Sequence, residues 1–376
     1  MKKKKLAFCL RDMQLGGVES VLVQLIDELA RDKDLDVTLV TFVKLSEPIY
    51  QDWLKYNKNI KHVVLYPSRF LGTQMPHFFL WRLVKHLCRD FYRFIGREVW
   101  VKNKLKKFDT LIDFHDFGFV KEFKKVHDVK KIAWFHSSVN VFIRRKFVNY
   151  LKHYANVVIL TNDCMHDLKK LYPEYSQKFI QIYNMLDIKK VKKLSSGKAP
   201  VDGNYFCCVS RMTGDKDIKT ILDAFELFCR YHDDMNLVLI GAGDKLDEYK
   251  KYAASLKVAN KIEFVGAQRN PYVYMANSCA NILSSYGEGL PTVIIESQAV
   301  GVLNISSNCK YGPREILMDG DAGVLFTPGD SLELAKAMID VYENNIDVKK
   351  MVQKSTKGLV RFDKDEIKEQ VKSLIS

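Results

Sequence analysis

The sequence has no apolar run near the ~20 residues that a membrane-spanning helix needs. Its start, MKKKKLAFCL, is basic, but the apolar stretch soon meets Arg11 and Asp12. A signal peptide requires a longer apolar core and a small-residue cleavage site, so these residues are read as a strand. The eight cysteines contain no Cys-x-x-Cys. That argues against a zinc site or disulfide framework and suits reduced, mostly buried thiols in a cytosolic protein. No complete Gly-x-Gly-x-x-Gly follows a strand, which removes the dinucleotide fingerprint. No Asp-x-Asp metal motif is read in the segments expected to line a ligand cleft. No strand platform interleaves basic and aromatic residues, which weakens an RNA-binding reading.

What is present is ordinary globular material: 376 residues, 47% hydrophobic and 28% charged, enough for two domains. Lys and Arg number 59 against 45 Asp and Glu, a net charge of +14. Such an excess points to an anionic partner: nucleic acid, a membrane surface or a phosphorylated ligand.

Strands alternate with helical patterns along the chain, as in α/β proteins. Leu6–Leu10 reads as a first strand, runs through Gly16-Gly17 and enters a helix with Val21, Leu22, Leu25, Ile26 and Leu29 at helical spacing. The glycines allow close backbone approach to a ligand, with a plain tight turn as the alternative. Glu19 is read as a helix-start residue that favours the dipole. Further strands are read at 37–42, 60–66, 110–114, 131–135, 156–160 and 179–183. A basic amphipathic helix is read over Phe78–Phe108, with Arg82, Lys85, Arg89, Arg93 and Arg97 largely opposite its apolar face. It suits either an anionic membrane interface or a core-packed helix with a solvated face. His115 and His136 each follow a strand, the end where ligand groups gather in open α/β sheets. The polar stretch 189–204, rich in Gly, Ser and Pro, reads as a linker.

In the second half, strands are read at 205–210, 237–240, 262–266, 280–284, 302–306 and 322–326. Arg211 and Lys216, five apart on a loop between strand and helix, can converge on one anion, although an isolated pair is more often solvated surface. Gly241-Ala242-Gly243 marks a tight turn after a strand. Tyr286–Gly301, reading YGEGLPTVIIESQAVG, places Glu288 and Glu296 eight apart. Pro291 suits a first helical turn, so a loop through Glu288 and Gly289 leads into a helix near Leu290, Pro291 and Thr292. Its start forms an anion site. The plain alternative is one capping and one solvated glutamate.

Glu-x7-Glu around Gly-Leu-Pro resembles the C-terminal motif of retaining glycosyltransferases of family 4. So do the Gly-Gly-x-Glu of residues 16–19, the Ile-Ala-Trp-Phe-His ending at His136, the Asn-x-x-Asp of 184–187, the Arg-x4-Lys of 211–216 and the Gly-x-Gly of 241–243. Gly-Pro-Arg-Glu, 312–315, is similar to a subset building bacterial surface polysaccharides. One departure is Asp217, where the family has glycine after the lysine.

The resemblance implies a GT-B fold: two doubly wound, Rossmann-like α/β domains facing a central cleft. The domains expected are 1–188 on the acceptor side, a linker at 189–204, 205–360 for the nucleotide sugar, and a C-terminal helix at 361–376 that packs back on the first domain. It implies that His136, Arg211, Lys216 and Glu288 are catalytic. Gly16, Gly17, Gly241, Gly289, Leu290, Pro291, Thr292 and Glu296 then bind the donor, and His115 lines the acceptor side. Arg211 and Lys216 would neutralise the leaving diphosphate, Glu296 would accept from the ribose, and Glu288 and His136 would bind the sugar. The expected reaction moves a hexose or N-acetylhexosamine, with retention, from a UDP-sugar, favoured over a GDP-sugar, to a saccharide acceptor. That acceptor is expected to be lipid-linked, at the cytoplasmic face of the cell membrane, in capsule, O-antigen, exopolysaccharide or related synthesis. No cofactor, metal or nucleic acid is expected. The alternatives are a GT-B-fold nucleotide-sugar epimerase and a non-enzymatic basic protein binding membrane or nucleic acid.

Overall fold

The computed structural model describes residues 3–14, 16–65 and 101–376. These form two compact units, each built on one parallel sheet.

The first unit comprises residues up to 160, then 165–182 and 368–376. Its sheet has the order β3-β2-β1-β4-β5-β6-β7. The strands are β1 Lys4–Leu10, β2 Leu35–Thr41, β3 Lys61–Val64, β4 Thr110–Asp113, β5 Lys130–Phe135, β6 Asn156–Ile159 and β7 Phe179–Gln181. Leu6–Leu10 are fully buried, as a central parallel strand covered on both faces requires. The helix Gly17–Ala30 buries Val21, Leu22, Leu25, Ile26 and Leu29. An aromatic cluster gathers around Phe117, which meets Phe142, Phe147 and Tyr154 edge-on or tilted. The chain's last residues pack into this unit. Lys4 donates to the carbonyls of Ile375 and Ser376, Lys130 to that of Leu374, and Lys372 pairs with Asp32 at 2.9 Å.

The second unit comprises 161–164 and 183–367. Its sheet has the order β10-β9-β8-β11-β12-β13. Here β8 is Asn204–Val209, β9 Met235–Ile240, β10 Ile262–Gly266, β11 Asn281–Leu283, β12 Asn304–Ser307 and β13 Val324–Phe326. One core cluster runs through Phe206, Ile221, Phe225, Phe228, Leu237, Leu239, Ile305 and Met338. The helices Ile218–Phe228 and Ser331–Tyr342 supply its cover.

Two expectations need adjustment, and a third falls mostly outside the described residues. Most of the helix read over Phe78–Phe108 lies outside the described residues. The described remainder is a short helix, Lys102–Leu105, anchored by buried Leu105. The segment read as a linker at 189–204 opens with a helix, Ile188–Leu194, that buries Val191; the Asp187 carboxylate accepts from Lys190 N–H and caps it. Its run of lysines conceals that one apolar anchor. The second unit itself starts at Tyr183 rather than after 188. Among the described residues no helix is long and apolar enough to cross a membrane. Cys9, Cys164, Cys207, Cys208 and Cys309 are buried free thiols.

Candidate functional site

In the first sheet β1 is flanked by β2 on one side and β4 on the other. Successive connections therefore diverge between β1 and β4, the position where open α/β sheets bind ligands. Gly16 and Gly17 follow β1, His115 follows β4, and His136 follows β5. Gly16 is the extended N-cap of its helix, and a Cβ there would sit 2.7 Å from the Glu19 carboxylate. Around Gly17 a Cβ would meet nothing within 4 Å, so packing among the described residues does not require glycine. The Glu19 carboxylate accepts from its own N–H and that of Gln14. Burial nonetheless raises it above the usual range.

His136 is held through its backbone. Its N–H donates to Asp116 Oδ1 at 2.7 Å, and Ser137 Oγ donates to Asp116 Oδ2 at 2.5 Å. Asp116 adopts φ 45° to reach both, a conformation Asp tolerates better than most residues. The imidazole lies against Phe114, centroids 4.6 Å apart. Its two nitrogens are buried with no partner among the described residues. Burial, only partly opposed by Asp116, lowers its pKa to about 4. The ring is neutral at pH 7, with one donor and one acceptor nitrogen. His115 is exposed and its N–H donates to the buried Asp113 at 3.3 Å.

In the second sheet the divergence falls between β8 and β11. The Arg211–Lys216 loop follows β8, and the Ser284–Pro291 loop follows β11. Three bonds staple them together: Ser284 Oγ to the carbonyls of Lys216 (2.7 Å) and Asp217 (2.9 Å), and Tyr286 N–H to the Asp215 carbonyl (3.0 Å). Lys216 Nζ donates to Glu288 Oε1 at 2.6 Å, with both side chains 12% exposed. Ser285 Oγ donates to the same oxygen at 2.6 Å. The expected cation and the expected sugar-binding carboxylate are thus ion-paired with each other.

Arg211 is more open, with its side chain 66% exposed, and Arg211 Nη2 and Lys216 Nζ each lie 3.8 Å from Asp215 Oδ2. The two cations do converge on one anion, and that anion belongs to the protein. Asp217, the departure from the family pattern, has φ 47° and ψ 49°. That is the left-handed region glycine enters freely; here Asp enters it, its carboxylate taking the Thr220 hydroxyl at 2.6 Å. Asp215-Lys216-Asp217 also spells Asp-x-Asp, missed in the sequence reading. Its two carboxylates have separate partners, Asp215 taking Thr213 Oγ1 at 2.6 Å.

Gly241 and Gly243 serve packing. Gly241 has φ 144°, and a Cβ there would come within 1.8 Å of the Ser210 carbonyl; one on Gly243 would come within 2.3 Å of the Met212 carbonyl. Met212 N–H donates to the Ala242 carbonyl and Lys245 N–H to that of Met212. This turn fixes the loop that carries Arg211.

The helix Thr292–Ala299 starts after Pro291 and is tied to β12 by Asn304 Nδ2 donating to the Ile294 carbonyl. Thr292 and Glu296 share a face at i, i+4 spacing, while Ile294, Ile295, Gln298 and Ala299 face inward. Burial raises the Glu296 carboxyl to about 7, and a hydrogen bond from Tyr272 opposes the rise. The Gly289–Pro291 approach is backed by Gly312 (φ 91°), where a Cβ would sit 2.5 Å from Pro291 Cδ. Beyond it, Glu315 accepts from Asn162 N–H (2.9 Å), Asn162 Nδ2 (2.8 Å) and the Tyr183 hydroxyl (2.5 Å). The sequence marks Glu315 only as the end of Gly-Pro-Arg-Glu and Asp116 only within the turn-like His-Asp-Phe-Gly run, and neither pattern gives their partners.

Residues 190–358 match the family described as glycosyl transferases group 1. This chain is a glycosyltransferase, and those residues are the part of it that resembles group 1. The glycosyltransferase is 22% identical over 349 residues to an uncharacterized glycosyltransferase of Haemophilus influenzae, covering 91% of each chain. It is 22% identical over 237 residues to the N-acetylgalactosamine-N,N'-diacetylbacillosaminyl-diphospho-undecaprenol 4-alpha-N-acetylgalactosaminyltransferase of Campylobacter jejuni, covering 63% of this chain and 64% of that one. Among solved structures, Anabaena Alr3699/HepE in complex with UDP has TM-score 0.76 at 16% identity, covering 99% of both chains. That likeness supports the fold, two parallel-sheet α/β domains of the GT-B type.

Proposed function

We propose that this glycosyltransferase moves a hexose or N-acetylhexosamine from a UDP-sugar, with retention of configuration as in family 4. The acceptor is a lipid-linked saccharide of surface-glycan synthesis, used at the inner face of the cell membrane. The observation that carries the reading is the placement of Arg211, Lys216, Glu288 and the start of the helix Thr292–Ala299 on the two loops flanking the divergence of the second sheet, inside the matched family domain. Arg211, Lys216 and the helix N-terminus stabilise the charge that grows on the diphosphate as the glycosidic bond breaks. Glu296 accepts from the ribose hydroxyls, and neutral His136 hydrogen-bonds the sugar. Gly16 and Gly17 give the ligand close backbone approach, and His115 attends the acceptor. The cation pair replaces a divalent ion, so transfer proceeds without metal. UDP in the solved relative and the diphospho-undecaprenol substrate in the name of the Campylobacter relative support the donor and acceptor classes.

A thermal-shift panel of UDP, GDP, ADP and CDP and their sugars, run with EDTA, tests the reading. A nucleotide that binds only the folded chain raises the melting temperature. UDP raising it, and failing to do so in Glu296→Ala, is expected. No shift from any nucleotide overturns the donor site, and isomerisation of a donor without acceptor overturns the transfer.

A further inference from the structure

Asp215 is a charged group of the two stapled loops to which the proposed mechanism gives no task. One of its carboxylate oxygens, Oδ2, stands 3.8 Å from both Arg211 Nη2 and Lys216 Nζ. Its other oxygen is tethered by the Thr213 hydroxyl at 2.6 Å, and its backbone carbonyl is held by Tyr286 N–H. The side chain is 53% exposed, so no packing demands a carboxylate. Burial acts to raise its pKa, but the Thr213 bond and the charges of Lys216 and Arg211 outweigh that and lower it. It is ionised throughout the neutral range. Counting Glu288 against Lys216, the resting cluster holds two cations and two carboxylates, and its net charge is zero.

We propose that Asp215 is a built-in occupant of the diphosphate-binding position, which competes with the nucleotide for Arg211 and Lys216 and returns to them as the product leaves. The proposal rests on the donor reading above and adds to it a residue that sets how tightly the product is held. Distances of 3.8 Å, beyond hydrogen-bond contact, suit such a competitor. The carboxylate neutralises the cations without locking them, and a diphosphate oxygen in direct contact displaces it. When the glycosidic bond has broken and the nucleotide diphosphate must dissociate, the carboxylate is one short movement from replacing it. Without it the cluster keeps only Glu288, paired with Lys216, and carries one uncompensated positive charge around the bound product.

The test is UDP titration of the wild-type chain, Asp215→Asn and the double variant Asp215→Asn with Arg211→Ala, by calorimetry, with the UDP dissociation rate followed by stopped flow. The expected result is UDP bound about fivefold to tenfold more tightly by Asp215→Asn, through slower dissociation, as removal of one partly exposed charge near 4 Å implies. The gain shrinks in high salt and is largely lost in the double variant. Inorganic pyrophosphate shows the same order of affinities. Equal or weaker UDP binding by Asp215→Asn, beside a wild-type chain that does bind UDP, overturns the proposal and leaves the donor reading standing. A wild-type chain that binds no nucleotide overturns both.

Discussion

Glu296 shows how a single residue sets function against stability. Its carboxyl titrates near 7 in the fold, against about 4.3 for a free glutamate. A carboxyl raised in this way favours folding below its unfolded pKa and loses that contribution as pH rises through about 7. Glu296→Gln is therefore expected to melt higher than wild type at pH 8, by on the order of 1 kcal/mol, while failing to bind UDP. Only the ionised form accepts from two ribose hydroxyls, so wild-type UDP affinity should fall about tenfold from pH 8 to pH 6. Calorimetry across that range checks the slope, and the glutamine variant should lack it. The glycines divide by the same logic. Gly17→Ala places a Cβ in open space and should change stability by under ~0.5 kcal/mol, yet weaken donor binding at least about tenfold through lost close approach. Gly241→Ala meets the Ser210 carbonyl at left-handed φ and should lose about 3 kcal/mol or more. Melting curves beside UDP titrations separate the two.

At the scale of elements, the strands were legible because their apolar runs are short, dense and bounded by polar turns. Leu6–Leu10 and Leu237–Ile240 could be nothing else at that length. The β11 and β12 edges shifted by a residue or two, while Asn281 and Asn304, which bond each other at 2.9 Å inside the sheet, fall within the strands both as read and as found. The loops bearing Arg211 and Glu288 were legible by resemblance. Their ion pair was not, because sequence spacing says nothing of side chains 72 positions apart. Glu315 hid for the same reason, since its partners Asn162 and Tyr183 lie more than a hundred residues away. It gathers residues 161–164 into the second unit. Glu315→Ala leaves the Asn162 and Tyr183 donors without their acceptor and should lower stability by about 1–3 kcal/mol. Hydrogen exchange should locate the loss at residues 161–164 and 183–186.

Across the whole molecule the charge is uneven. Residues 1–188 carry 33 Lys and Arg against 20 Asp and Glu, while 189–376 carry 26 against 25. The excess thus belongs to the half expected to meet the acceptor, and it favours an anionic surface there. Sedimentation with anionic vesicles should retain the wild-type chain in low salt and release it in high salt. Reversing Arg82, Lys85 and Arg89 should abolish retention, and unchanged binding would remove the membrane reading of that segment.

The first unit is also discontinuous in the chain: it takes in residues up to 160, then 165–182, then 368–376. The Lys4, Asp32 and Lys130 side chains each find a partner in that last stretch. On the ribosome, the sheet begun by β1 waits for the whole second unit to be translated before those contacts can close. The half of the molecule made first is then the half finished last. A chain truncated after residue 367 should expose a first unit that proteases cut readily, beside a second unit that resists them.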